Sequence, residues 1–269
     1  MLAFSFADAH FHLVPCATES AAVFPESAPY MGCTCAHFED EFFAQEQAIQ
    51  TCTARNSSVH IIPACGMHPQ NPSALSADFL EQLLQQRRIR AIGEAGFDFF
   101  TDAYKAQRAA QETAWDTCTA LAAAYRVPLI VHCRKAMARI FADTSRLKKI
   151  PAVVFHSYGG SPAEATALLR RGVNAFFSFG KPLLAGDKSA RRCVGMLPIE
   201  RVLCETDAPY QTLTGERVTL ICDITAVYQA VATIRKLYRA PCATVESCAA
   251  VIAQTFQTVY GQNDEQLGR

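Results

Sequence analysis

Short apolar runs alternate along the chain with longer segments whose apolar residues recur at helical spacing. Eight runs read as strands: Phe4–Ala9, Met31–Cys35, Val59–Cys65, Ile89–Gly93, Val127–Val131, Ala152–Phe155, Val173–Phe179 and Val202–Cys204. Between them, Glu39–Arg55, Ser76–Gln86, Tyr104–Tyr125, Lys135–Leu147 and Pro162–Arg171 read as helices that end near Gly, Pro or Asn. Glu216–Leu237 and Thr244–Tyr260 read as further helices at the end. Alternating strands and helices imply parallel βαβ units. Eight such units fit the α/β class, as a closed (β/α)8 TIM barrel, better than an open sheet. Pro25 and Pro29 crowd the start of the second strand. No repeat, low-complexity tract or linker divides the chain, so a single barrel domain over residues 1–269 is expected.

Composition narrows the partners. Lys+Arg and Asp+Glu are 25 each, so the formal net charge is zero. That argues against a long basic groove for nucleic acid, though not against a local phosphate pocket. With 50% hydrophobic and 19% charged residues, the chain is not of the disordered class. Twelve cysteines are scattered without a C-x-x-C pair, and Cys33 and Cys35 are only a weak zinc signal. A core this large needs no disulfide staples, so reduced thiols and a cytoplasmic location are expected. The stretch Met1–Phe6 lacks a positive n-region, which argues against a signal peptide. No apolar stretch approaches the ~18–20 residues of a membrane span.

Polar residues gather where the apolar runs end. Asp8, His10 and His12 alternate at the end of the first, which puts them on one face of an extended segment. Glu94 closes the fourth, His132 the fifth, His156 the sixth and Asp207 the eighth. In a barrel these ends share one rim, and their side chains converge. Each residue alone has an ordinary structural explanation, such as a capping carboxylate. Four histidines and two carboxylates at the ends of five strands form a set that chance does not readily supply.

That set resembles the TatD family of metal-dependent deoxyribonucleases, among the amidohydrolase-like TIM barrels. The resemblance rests on Asp8-Ala9-His10-Phe11-His12-Leu13, Gly66-Met67-His68-Pro69, Ile92-Gly93-Glu94-Ala95-Gly96-Phe97-Asp98, His132-Cys133-Arg134, His156-Ser157-Tyr158-Gly159-Gly160-Ser161 and Glu205-Thr206-Asp207-Ala208-Pro209. It implies that His10, His12, Glu94, His132, His156 and Asp207 are metal ligands, with Glu94 bridging two divalent ions (Zn²⁺, Mn²⁺ or Mg²⁺). It also implies hydrolysis of DNA. The sequence departs from the family at Val14, where an aspartate is usual, and lacks the Arg-Asn-Glu-Pro segment expected after the last strand.

The ligand types suggest the chemistry. Imidazole with carboxylate suits Zn²⁺ or Mn²⁺ better than Ca²⁺, and two such ions clamp a phosphate and activate water. Asp207 and Glu94 are the expected catalytic carboxylates, with Asp207 the proton acceptor. His68, after the third strand, is the expected phosphate binder or leaving-group acid. Arg134, Ser157 and Gly159 are candidate substrate contacts, the last two in a Gly-rich turn whose amides can receive a phosphate. Asp8 is a candidate partner for a ligand imidazole, and Glu205 is read as structural. Lys181 is a further candidate, and Phe99 and Phe100 can stack on a base. His37 and His60 match no motif and are read as ordinary histidines. The expected activity is hydrolysis of phosphodiester bonds at single-stranded DNA ends. The fold leaves open a metal-dependent ester or amide hydrolase, such as a D-aminoacyl-tRNA deacylase.

Overall fold

Parallel strands covered by helices are buried on both faces, which is why they read as apolar runs. The computed structural model describes residues 4–261. Its strands are β1 (Phe6–Phe11), β2 (Tyr30–Ala36), β3 (Val59–Cys65), β4 (Ala91–Asp98), β5 (Leu129–Arg134), β6 (Val153–Phe155), β7 (Ala175–Phe179) and β8 (Val202–Cys204). They form one sheet in sequence order, every neighbouring pair parallel. Beyond β8 the chain returns to β1. Asp207 N donates to His10 O (3.0 Å) and His12 N donates to Ala208 O (2.8 Å), so backbone hydrogen bonds join the ends of the sheet. The result is the expected (β/α)8 barrel.

Several elements differ from the sequence reading. β4 and β5 run on to Asp98 and Arg134, so Glu94 and His132 lie inside strands rather than just after them. Polar residues end the apolar pattern, but the backbone ladder continues through them. β2 starts at Tyr30, directly after Pro29, whose carbonyl accepts from Phe6 N at 2.9 Å. The helix Glu39–Arg55 lies where expected. Lys135–Leu147 divides into Met137–Ala142 and Thr144–Leu147. The helix expected from Glu216 starts at Ile224. Helices Leu13–Thr18 and Lys188–Met196 were not expected. Met1–Ala3, part of the stretch read against a signal peptide, lies outside the described residues.

Helices anchor β1 from outside. The Tyr228 hydroxyl donates to Ala7 O (3.0 Å) and accepts from Ala7 N (3.1 Å), and the Tyr260 hydroxyl donates to Ala9 O (3.1 Å). On helix Arg108–Tyr125, the fully buried Trp115 packs its ring 5.3 Å from that of Phe97 on β4. Truncating such a side chain typically costs about 3–5 kcal/mol. Among the described residues, no helix is long and apolar enough to cross a membrane.

Candidate metal centre

Glu94 lies between two glycines that let β4 approach β5. Gly96 has φ +144°, and a Cβ there would overlap the His132 carbonyl oxygen. Gly93 has φ +157°, and its Cβ would meet Ile130 Cβ at 2.5 Å. Only glycine fits both positions. Bare backbone thus brings the buried Glu94 carboxylate against His132.

The two Glu94 oxygens face different donor sets. Oε1 lies 3.2 Å from His10 Nε2 and 3.5 Å from His12 Nε2. Oε2 lies 2.5 Å from His156 Nε2, 3.1 Å from His132 Nδ1 and 3.5 Å from His68 Nε2. Asp207 Oδ1 joins the first set, 3.4 Å from His10 Nε2 and 3.3 Å from His12 Nε2, which are themselves 3.2 Å apart. Asp207 takes a left-handed backbone, φ 52°, a conformation an aspartate tolerates better than most residues. All six residues expected as ligands therefore meet in one cluster.

These distances suit a cation. Tetrahedral coordination with bonds of about 2.1 Å sets donor–donor edges of about 3.4 Å. The separations within the first set, 3.2 to 3.5 Å, match such edges. A carboxylate with one oxygen toward each set has the disposition of a bridging ligand. The cluster is thus a buried His/Glu/Asp group able to bind metal.

Charge and burial oppose each other here. Burial alone would push the Glu94 carboxyl up, but His156, His10 and His68 hold it well below the usual carboxylate range. Burial would lower His10, yet Glu94 and Asp207 raise it well above its ordinary value. Burial also opposes a charged His132, but hydrogen bonds with Asp98 and Glu94 raise it to about 9. His68 is lowered to about 4 by burial, which outweighs nearby Glu94.

Ring partners fix which nitrogen faces the site. His132 Nε2 lies 3.3 Å from Asp98 Oδ2, leaving Nδ1 toward Glu94. Asp98 also accepts from Gln70 Nε2 (2.8 Å) and Phe100 N (2.9 Å). His10 Nδ1 lies 3.4 Å from Cys35 Sγ. Asp8 is not an imidazole partner as expected: it accepts from the His10 amide, from Thr206 N and Oγ1 and from the Tyr30 hydroxyl. The β1 backbone turns Asp8 toward Thr206, so it holds the seam rather than a ring.

A cavity of about 1470 Å³ opens over the cluster, and Arg134, Ser157, Gly159 and Tyr210 line it. Arg134 is exposed, with its guanidinium 3.7 Å from the centre of the exposed Phe100 ring. Glu205 fixes the Gly-rich turn: its Oε1 accepts from Ser157 N at 2.6 Å, and burial pushes its carboxyl up to about 8. Tyr158 N and Ser161 N are engaged by Ser178 O and Glu164 Oε2. Three of the turn's five amides are therefore engaged within the protein, and the Ser157 hydroxyl, which accepts from Gln211 Nε2 at 2.6 Å, also lies at the cavity beside Gly159 and Gly160. Lys181, the further candidate, is held by two carboxylates. It is buried and paired with Glu216 (2.5 Å) and Asp223 (2.8 Å). Phe99 is partly buried against the core, and His60 is exposed on β3.

Sequence reasoning missed His37, Asp98, Gln70 and Gln211. His37 Nε2 lies 3.3 Å from Glu94 Oε1, so it belongs to the site. The signal was its place just after β2, hidden because that strand runs one residue further than expected. Gln211 Nε2 donates to Asp207 Oδ2 at 2.7 Å, and nothing in its local sequence marks it.

A sequence model described as TatD related DNase matches residues 7–261. The chain belongs to the TatD family. A protein of Pantoea ananatis named 3'-5' ssDNA/RNA exonuclease TatD is 37% identical over 149 residues, 54% of this chain and 56% of that protein. A Klebsiella pneumoniae protein of the same name is 34% identical over the same shares. The chain thus spans just over half the length of these curated TatD relatives. The crystal structure of a TatD homolog from Escherichia coli superposes with a TM-score of 0.76 at 22% identity, covering 95% of this chain and 98% of that one. A dihydroorotase from Saccharomyces cerevisiae superposes with a TM-score of 0.60 at 12% identity, covering 97% and 85%. At such identities the likeness is one of fold.

Proposed function

We propose that this chain is a divalent-metal-dependent hydrolase of phosphodiester bonds, a TatD-like deoxyribonuclease acting at single-stranded DNA ends, and that it works as one barrel domain. The observation that carries the reading is Glu94 with one oxygen turned to each donor set. His10, His12, Asp207 and Glu94 would hold one ion, and His132, His156 and Glu94 a second. Nitrogen-rich donors favour Zn²⁺ or Mn²⁺ over Mg²⁺. When bound, such a pair polarises a phosphate and lowers the pKa of water.

The chain's own groups supply the rest. Asp207 faces the imidazoles through Oδ1, while Gln211 holds Oδ2, the proton acceptor. His68 Nδ1 accepts from Gln70 N at 3.2 Å, so in the neutral ring Nε2 carries the proton. That N–H points toward Glu94 and serves to donate to a phosphate or leaving oxygen. Arg134, Ser157 and Gly159 contact the strand at the cavity mouth, and the guanidinium matches phosphate geometry. The names of the relatives, 3'-5' ssDNA/RNA exonuclease, support a nucleic acid substrate. Zero net charge suits a pocket for a strand end. Twelve free cysteines suit the reducing cytoplasm.

The test uses purified protein with end-labelled single-stranded and duplex oligonucleotides, an aminoacyl ester, and Zn²⁺, Mn²⁺ or Mg²⁺ in turn. Stepwise loss of single-stranded ends, abolished in a folded Glu94→Ala variant, is expected. Hydrolysis of the ester with intact oligonucleotides, or full activity of Glu94→Ala, overturns the reading.

A further inference from the structure

Five of the chain's seven histidines line one cavity and a sixth, His10, is buried against Glu94, yet the ligand set above uses only four of these six. The two others, His37 and His68, stand side by side with ring centroids 4.8 Å apart. Their hydrogen bonds give them opposite tautomers. At His68 a backbone amide donates to Nδ1, so Nε2 carries hydrogen. At His37, Nδ1 lies 3.4 Å from the Gly66 carbonyl oxygen, which can only accept. In the neutral ring His37 Nδ1 therefore carries the proton, and Nε2 presents a lone pair.

That lone pair is buried, has no hydrogen-bond partner, and lies 3.3 Å from Glu94 Oε1. Oε1 is the oxygen that also faces His10 and His12. A bare lone pair against a carboxylate oxygen is repulsive unless a proton or a metal cation sits between them, and a metal cation also meets the demands of His10 and His12 on the same oxygen. The separation, 3.3 Å, also lies within the 3.2 to 3.5 Å spread among His10, His12, Glu94 and Asp207, and His37 would be a fifth donor, a number zinc accepts on expanding its tetrahedron. A ring N–H held by a backbone carbonyl, with the other nitrogen free, is the usual arrangement of a metal-ligating histidine.

The surroundings hold this ring in place. His37 follows β2 directly, and its amide donates to the buried Glu41 carboxylate at 2.6 Å. Gly66 N donates to Ala36 O at 3.1 Å. A Cβ on Gly66 would meet the Gly93 backbone at 2.7 Å, so bare backbone here lets the carbonyl stand between β2 and β4.

We propose that His37 is a further nitrogen ligand, through Nε2, to the divalent ion on the Oε1 side of Glu94, outside the six-residue set. The inference rests on the two-ion reading above. The full-length protein, stripped of metal, is titrated with Mn²⁺ while the free ion is followed by electron paramagnetic resonance. His37→Ala, His37→Gln and His68→Ala are titrated beside wild type. Glutamine keeps a donor for the Gly66 carbonyl, so it guards against a fold defect. Both His37 variants are expected to bind one of two ions at least about tenfold more weakly, with His68→Ala unchanged. In crystals of the zinc-loaded wild type, an anomalous peak is expected at bonding distance from His37 Nε2, about 2.0–2.1 Å. Wild-type titrations in the His37 variants, or anomalous peaks all beyond bonding distance of Nε2, overturn the assignment while leaving the six-residue reading intact. A wild type that binds no divalent ion overturns both.

Discussion

Asp98→Asn should weaken metal binding without touching a metal-facing atom. The Asp98 carboxylate serves three donors. Oδ2 faces His132 Nε2 at 3.3 Å and Gln70 Nε2 at 2.8 Å, and Oδ1 accepts from Phe100 N at 2.9 Å. Asparagine offers one accepting oxygen and one donating nitrogen. If that oxygen stays with Phe100 N, the new amide N–H meets His132 Nε2 and moves the imidazole proton to Nδ1, the nitrogen turned to Glu94. If it faces His132 instead, Phe100 N is left against a donor. Loss of such an orienting partner typically costs about 10–100-fold in metal affinity, or about 1.4–2.7 kcal/mol. One stranded buried donor costs roughly 1–3 kcal/mol of stability, a melting decrease of roughly 2–12 °C for a chain of this size. Competition with a chelator measures the affinity, and a thermal melt of the metal-free protein measures the stability. Asp98→Asn with wild-type affinity for both ions would refute the tautomer argument.

Two further substitutions separate chemistry from binding. His68→Ala should lower kcat/KM on a single-stranded oligonucleotide by at least about tenfold, about 1.4 kcal/mol of transition-state binding, with metal content unchanged by elemental analysis. A parallel loss of metal would make His68 a ligand instead. Arg134→Ala should raise KM severalfold and flatten the dependence of binding on salt by about one phosphate contact, a change in slope of about 0.7 for single strands, seen in titrations across ionic strength. An unchanged salt slope would return Arg134 to its stacking contact with Phe100.

The barrel was legible because fully buried strands are written as apolar runs, and the runs around Val59–Cys65 and Val202–Cys204 match the observed strands residue for residue. Strand ends were less legible at β4 and β5, where the same polar residues that build the site interrupt the pattern. The six clustered residues were readable because each follows an apolar run and together they form a family's motif set. His37 and Gln211 were not: each acts through a contact with a distant strand or loop, Glu94 in one case and Ser157 in the other. The burial of Lys181 was equally hidden, since its partners Glu216 and Asp223 lie about 40 residues on in sequence, and only the folded loop brings them to it.

The seam between the first and last strands has a mechanical meaning. His10 and His12 give their rings to the pocket and their backbone to Asp207 and Ala208. Prising the barrel apart at β6 and β7 would leave the side chains of His10, His12 and Asp207 adjacent, as hands still clasped on a bent hoop. Prising it apart at β1 and β8 would scatter them at once. An ion gripped by all three residues would act as a rivet through that joint, adding about 2.7 kcal/mol to the folded state at a hundred times its dissociation constant. The hoop would then fail last where it is joined.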